Sequence, residues 1–419
     1  MATVFTYSDN SQSTTNDTTI TSSSYVIPSG QSLTKANIGT SVTTIGAQAF
    51  NGETSLFEVT FEPTSILTTI GNSAFQECNS LTTVTIPSSV TSIVTVTAFS
   101  LCTSLQSIIV EPANADYSSD SNGVLFNINK AVLYQYPIGN TLTTYVVPNT
   151  VSTLGYGAFY FAQNLTNIVI PPSVTLIGEI VFGSSPSLTT INIPPLITNL
   201  GFSLFAGCVQ LATITFDSND NLLTIGNNVF QGTAITSITL PNSVTSIGSA
   251  AFFGADLLSI IIPPAVTSIG TDAFLSCTSL TNVSLTLSTV NTLNSAGASP
   301  PIPTGGGTLS SFYGSGTVTI EIIQPAPAPA PAPYNPSGPG PIQICNSRFA
   351  KCNITNKTNF SSGNVIIQGS TLAQRVSTLI KVQPYLRNAT WTREYVGVNE
   401  YGQRAGGPVG YGQSPKNTF

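Results

Sequence analysis

The chain contains no histidine. That excludes His-dependent triads, histidine metal ligands and a histidine pH switch. Charge is also scarce, at 7% of the 419 residues, where ordinary soluble domains carry about 25%. Thr, Ser and Asn must supply solubility instead. No stretch approaches the roughly 18 apolar residues needed to span a bilayer, so no membrane span is expected. The first residues, Met1-Ala2-Thr3-Val4-Phe5-Thr6, offer neither a basic nor an apolar region. No secretory signal is therefore read there.

The little charge there is falls unevenly. Residues 1–324 hold two basic side chains, Lys35 and Lys130, against fifteen acidic ones, a net of -13. Residues 325–419 hold nine basic and two acidic side chains, a net of +7. Such asymmetry points to a tail with its own partner.

The dominant feature is a repeat. Nine variants of Ile-Gly-x-x-Ala-Phe begin at Ile45, Ile70, Ile93, Leu154, Ile177, Leu200, Ile225, Ile247 and Ile269. Their phenylalanines, Phe50 to Phe274, lie 22 to 25 residues apart with one gap of 60. A fixed period in the twenties implies a solenoid in which each repeat packs only on its neighbours. A full unit reads Leu81-Thr82-Thr83-Val84-Thr85-Ile86-Pro87-Ser88-Ser89-Val90-Thr91-Ser92-Ile93. Alternating Val84, Thr85 and Ile86 predict a strand. Pro87 ends it, having no N–H for the ladder. A second short extended piece follows, Gly permits a turn, and the Ala-Phe points back to the core.

These residues resemble the BspA-like, or Treponema-type, leucine-rich repeat over about residues 25–290. The gap of 60 resembles the longer, hairpin-bearing unit of that family. Asn114 to Asp120, Gly123-Val124-Leu125-Phe126 and Ala131-Val132-Leu133-Tyr134 carry the likeness. The resemblance implies binding or adhesion and brings no catalytic residues. Repeats of this type occur in surface proteins of bacteria and protists and in proteins of large DNA viruses.

The fold class expected is a strand-dominated leucine-rich-repeat solenoid with a Pro-Ala linker and an extended basic C-terminal arm. Its parts are an N-terminal arm at 1–20, the solenoid at 21–296, a cap at 297–324, the linker at 325–341 and the arm at 342–419. A last strand is expected at 317–323. Nine residues of alternating Pro and Ala from Pro325 favour a stiff extended spacer, about 28 Å long. In the arm only 372–382 shows helical periodicity, and it is weak.

No chemistry-bearing constellation emerges, and no cofactor is expected. Cys78, Cys102, Cys208 and Cys277 share one place in the repeat, which reads as a buried small position. Cys345 and Cys352 lack a zinc spacing. The pairs Asp217/Asp220, Asp116/Asp120 and Glu58/Glu62 read as turn acids, not a catalytic dyad. Seven Asn-x-Ser/Thr triplets, at Asn16, Asn164, Asn282, Asn353, Asn356, Asn359 and Asn388, read as chance in so Asn- and Thr-rich a chain.

Two candidate interfaces stand out. The outward position between the last two core residues of each strand is polar at Thr60, Thr85, Asn192, Thr215, Thr239 and Ser284. In three successive units it becomes Ile109, Val146 and Val169. Either these form a contact strip, or the hairpin at 114–136 covers them. In the arm, Arg387, Trp391, Arg393 and Tyr395 are the densest basic-aromatic cluster, suited to anchoring by bidentate contacts and ring packing. Its dilute charge favours an acidic protein neighbour over nucleic acid. The function expected is therefore non-enzymatic. The partners are other proteins of an assembly such as a virion capsid or surface layer, with a host-surface ligand as the alternative.

Overall fold

The computed structural model describes residues 1–94, 98–217, 221–298, 300–309 and 312–323, and beyond them the backbone of four three-residue strands. The chain divides into two units, Met1–Pro325 and Ala326–Phe419.

The first unit is a strand-dominated solenoid of about 11 turns. A coil opens with a longer strand such as Thr83–Ile86, where Val84 and Ile86 are buried and Thr83 is exposed. The chain turns at Pro87 and enters a two-residue strand, Ser92–Ile93. Longer strands pair parallel and in register with the next coil, as Thr190–Ile193 does with Thr213–Phe216. Short strands do the same, Thr224–Ile225 with Ser246–Ile247. The coil thus has a long-strand face and a short-strand face.

The Ala-Phe segment makes a third ladder of opposite sense. The Phe N–H donates forward to the next coil: Phe50 to the Ala74 carbonyl at 2.8 Å, Phe182 to Leu204 at 3.0 Å, Phe230 to Ala251 at 2.7 Å. To aim these N–H groups, the residue two before the Phe adopts positive φ in the described coils. Gln48, Ser73, Ile180, Ser203, Asn228, Ala250 and Asp272 do so with φ from 52° to 59°. This conformation is uncommon outside glycine and unfavourable for a β-branched residue such as Ile180. The cross-coil hydrogen bond offsets the strain. The motif's glycine has a different task, close approach. A Cβ on Gly248 would lie 2.5 Å from the Gly226 carbonyl carbon.

The ladder brings the phenylalanine rings into a file. Centroids of Phe159, Phe182, Phe205, Phe230, Phe252 and Phe274 follow one another at 5.0–5.9 Å, with interplanar angles of 3° to 28°. The inward placement expected for these rings is what the structure shows, and all are fully buried.

Both ends are closed. At the C-terminal end Val318–Ile323 pairs parallel with Asn282–Thr286, and Gly307–Leu309 lies antiparallel on it. Phe312 extends the ring file beyond Phe274 at 5.3 Å. A helix, Leu287–Ser295, precedes this cap, its N-terminus held by Thr286 accepting from the Thr289 N–H. At the other end the structure corrects the expected N-terminal arm. Thr3–Tyr7 pairs antiparallel with both Gln12–Thr15 and Leu33–Ile38, and Phe5 and Tyr7 are buried. Tyr25 stacks on Phe50 at 5.8 Å and donates its hydroxyl to the Ala49 carbonyl at 3.0 Å. Residues 1–20 are the N-terminal cap.

The long unit carries the hairpin. Tyr117–Ser119, Leu125–Asn127 and Val132–Gln135 run antiparallel, and the last resumes parallel stacking on Thr153–Leu154. Asp120 closes the turn, its carboxylate accepting from the Asn122 and Val124 N–H groups at 3.0 and 2.9 Å.

In the second unit, Ile342–Ile344, Val365–Ile367, Trp391–Arg393 and Val409–Tyr411 form one sheet in that order. The first two are parallel and the last two antiparallel. An extended basic arm with too little apolar pattern for a core was expected there. The Pro-Ala linker, Cys345, Cys352 and residues 372–382 lie outside the described residues.

Candidate binding surface

The long-strand face fixes where each candidate side chain points. Along a strand, alternate residues face in and out. Tyr145 and Ile168 are buried, so Val146 and Val169 face outward, with exposures of 64% and 43%. They are register partners on adjacent parallel strands. Ile109 is outward as well, at 45%, but its partner is Thr85 of the preceding coil.

The expected strip of three is therefore split. The hairpin tip occupies the rung between Ile109 and Val146. The Ile108 N–H donates to the Gly123 carbonyl at 2.9 Å, and the Val110 N–H to Ser119 Oγ at 3.1 Å. A Cβ on Gly123 would lie 2.5 Å from the Ser107 Cα, so only glycine fits. From the other side the Tyr145 hydroxyl donates to Asp120 at 2.8 Å. The hairpin separates the apolar positions and leaves all three exposed. The alternative reading, cover by the hairpin, does not hold.

The face also contains an apolar position the sequence reading passed over. Ile261 fills the same outward slot and is 56% exposed. Aligning the strands by their buried residues was signal enough to find it. A second group lies toward the short-strand side. Tyr156, Glu179 and Phe202 occupy successive rungs after the motif glycine, linked by Gly157 N–H to Glu179 O and Ile180 N–H to Phe202 O. Leu176 and Leu223 are exposed toward the short-strand side two coils apart, with the Asn199–Leu200 coil between them.

Electrostatically the long-strand face is bare. From Ser107 to Asn282 its outward positions are Ser, Thr, Asn or aliphatic residues, and none is charged. Charge lies at its ends, as the Lys35–Glu58 ion pair at 2.7 Å and as Glu321 bonded to Ser284 at 2.8 Å, and just past the strand at Asp217, which accepts from Asn192 at 3.0 Å. Lys130, the other cation of this unit, sits over the Phe126 ring at 5.7 Å.

The acids are tied into structural bonds. Asn37 donates to Glu62 at 2.9 Å and accepts from Thr60 at 3.1 Å. Asn192, Asp217 and Thr215 repeat this clip at 3.0 and 2.8 Å. Asp220 lies outside the described residues. The four repeat cysteines are buried, and each donates its thiol to a Phe carbonyl of the preceding coil at 2.9–3.2 Å. Among the described residues no group of three or more His, Cys, Asp or Glu could hold a metal, and no helix is long and apolar enough to cross a membrane.

Of the C-terminal cluster, Trp391 and Arg393 lie on one three-residue strand, in register with Tyr411 and Val409. Arg387 and Tyr395 fall outside the described residues.

This architecture is that of a leucine-rich-repeat solenoid. The model of the BspA type leucine rich repeat region matches residues 18–135, 127–254 and 217–297. These spans cover more than half of the chain, and the protein belongs to that family. Solved structures with similar coils include the pneumococcal vaccine antigen PcpA, at 22% identity and a TM-score of 0.43, covering 60% of this chain and 56% of that one. A leucine-rich repeat protein from Eubacterium ventriosum matches at 25% identity and 0.38, over 54% of this chain and 77% of its own. A leucine rich cell surface protein from Faecalibacterium prausnitzii matches at 24% and 0.38, over 68% and 93%. The chain thus spans little more than half of the pneumococcal antigen. No curated protein matches it. Solenoids of this family are typically non-enzymatic and mediate protein–protein contacts.

Proposed function

We propose that the protein is a non-enzymatic scaffold of a multi-protein assembly. Its long-strand face contacts a neighbouring protein, and its basic C-terminal region anchors the chain. The observation that carries the reading is the Val146–Val169 pair, aliphatic and exposed on adjacent strands of an uncharged face. Exposed apolar groups within such a face suit a protein surface. The anchoring role rests on charge: +7 after residue 324 against -13 before it. An acidic neighbour would take Arg387 and Arg393 by bidentate contacts, with Trp391 and Tyr395 packing beside them.

The setting proposed is a large DNA virus particle, with this chain as a minor capsid or virion surface protein. Its support is the resemblance of these repeats to those found in such viruses. A second setting, an adhesin on the surface of a bacterium or protist, is favoured by the family itself, whose members are typically surface and binding proteins. Mass spectrometry of purified particles against surface fractions separates the two. For the scaffold role, Val146→Lys/Val169→Lys and a chain ending at Gln324 are each tested for incorporation. We expect both to fold and both to be lost from the assembly. Incorporation of both at the level of the unaltered chain would refute the reading.

A further inference from the structure

The solenoid is not one uninterrupted stack. Its buried residues form two cores, one from Phe5 to Leu125 and one from Val124 to Ile320. The two meet within the hairpin coil, where Val124 belongs to one core and Leu125 to the other. The ring file divides at the same place. Tyr25, Phe50, Phe75 and Phe99 form one stack, and Tyr136 opens the next with Phe159 at 5.4 Å. Among the described residues no ring contact joins Phe99 to Tyr136.

Both faces break there too. Ser107–Val110 is an edge of its sheet, and Thr144–Val146 begins another. On the short side Ser92–Ile93 ends one sheet and the hairpin begins the next. Elsewhere a sheet is sometimes interrupted, as between Leu176–Ile177 and Asn199–Leu200, but there the ring file runs on through Phe182 and Phe205 at 5.3 Å. Among the described residues, the hairpin is where core, ring file and both faces part together.

Tyr117 and Leu125 of the hairpin reach into the first core, with Tyr134 packed beside them, and polar bonds make up much of the rest of what crosses the joint. The Tyr117 hydroxyl accepts from the Ile93 N–H at 2.9 Å. Asn114 donates to the Pro87 and Val90 carbonyls, both at 2.9 Å. Asn140 donates to the Gln106 and Asn122 carbonyls at 3.1 and 3.0 Å. Two buried polar atoms, Gln135 Oε1 and Tyr136 Oη, have no partner and sit on the coil that opens the second stack. An unsatisfied buried group destabilises the closed state. In a one-dimensional array, stability is a sum of repeat and interface terms, so the weakest interface sets where cooperativity ends.

We infer that the hairpin coil forms a joint with the coil before it, dividing the solenoid into two cooperative blocks, about residues 3–110 and 114–323, that open from each other before either unfolds. Hydrogen bonds across the joint exchange with water and can re-form. The stacked rings within each block have no such substitute. The joint falls between Ile109 and the Val146–Val169 pair, but the inference stands apart from any binding role of that face.

Hydrogen exchange on the full chain in graded urea is the test, with Phe75→Ala and Phe205→Ala beside the unaltered protein. In the unaltered chain, backbone N–H groups of the two blocks should follow two different dependences on urea. Phe75→Ala should speed exchange at least tenfold within 33–110 and less than twofold within 145–320. Phe205→Ala should do the reverse. A single urea dependence for both blocks, or acceleration of both by either variant, would overturn the inference. Loss of all protection in Phe75→Ala counts as the second of these, because it would mean the joint transmits the full cost.

Discussion

The Ser185 hydroxyl donates to the Phe159 carbonyl at 2.9 Å. It stands in the repeat position where Cys208 donates its thiol to the Phe182 carbonyl, also at 2.9 Å. One slot accepts sulfur or oxygen, and in other coils the buried Ala162 and Ala255, because it must be small. Where Ser or Cys stands there, it donates to a Phe carbonyl of the preceding coil. The cysteines are therefore packing residues, and their chemistry follows from place rather than from reactivity. Cys208→Ser should stay within about 1 kcal/mol of the unaltered protein, the net worth of a buried hydrogen bond. Cys208→Val fills the space but loses the donor and adds a methyl group, and should cost about 1–3 kcal/mol. Urea denaturation compares the two. Equal stability of the Ser and Val variants would show that the donor is irrelevant.

Burial also decides how these thiols react. It pushes the Cys208 thiol up to about 12 and the Cys277 thiol to about 11. The thiolate is the nucleophile, so at pH 8 both are protonated as well as enclosed. Iodoacetamide at pH 8 should leave Cys208 and Cys277 unmodified in the native protein and label them in 6 M guanidinium. Peptide mapping reads the outcome, and labelling of Cys208 in the folded chain within minutes would contradict its placement.

The ring file makes a sharper demand. Phe182 and Phe205 stack at 5.3 Å with planes 6° apart, and Phe205 and Phe230 at 5.9 Å and 4°. Each ring fills the interior at its own level. Phe182→Ala or Phe230→Ala should cost about 3–5 kcal/mol, the usual range for a buried aromatic. A melting temperature within a degree of the unaltered protein for either variant would count against the stack as the main support of its block.

How much of this was legible in the sequence depends on what periodicity can carry. The solenoid and the inward phenylalanines follow from the 22–25-residue spacing, while the hairpin follows only from the likeness of 114–134 to the longer unit of the family. The last strand, expected at 317–323, is Val318–Ile323. The N-terminal cap escaped because Thr3, Phe5 and Tyr7 alternate over only five residues and lie among Ser, Thr and Asn that resemble a loop. The positive φ at Ile180 could not be read at all, since it is imposed by a bond to Phe202 in the next coil. The Val146–Val169 pairing was visible from matched strand positions. The separation of Ile109 was not, because it depends on where Gly123 lodges in three dimensions.

The Tyr25 cap introduces a pH dependence. The Tyr25 hydroxyl has two acceptors, the Ala49 carbonyl and Glu53 Oε1, both at 3.0 Å, and one proton to give. Ionised Glu53 competes with Ala49 for it. Protonated Glu53 can instead donate to Tyr25 Oη and leave the phenolic proton to the carbonyl. Desolvation lifts Glu53 above its ordinary 4.5, although the Tyr25 bond opposes the shift. The sign follows. A carboxyl whose folded value is raised binds more protons in the native state, so stability falls as pH rises from 4.5 through the folded value and is level above it. Glu53→Gln removes this slope. Urea denaturation at several pH values should find the variant at least as stable as the unaltered protein at pH 7, with its relative advantage shrinking as pH falls through the folded value toward 4.5 and level below that. A variant that loses stability only at pH 7 would reverse the sign and show that the ionised form is the one the cap prefers.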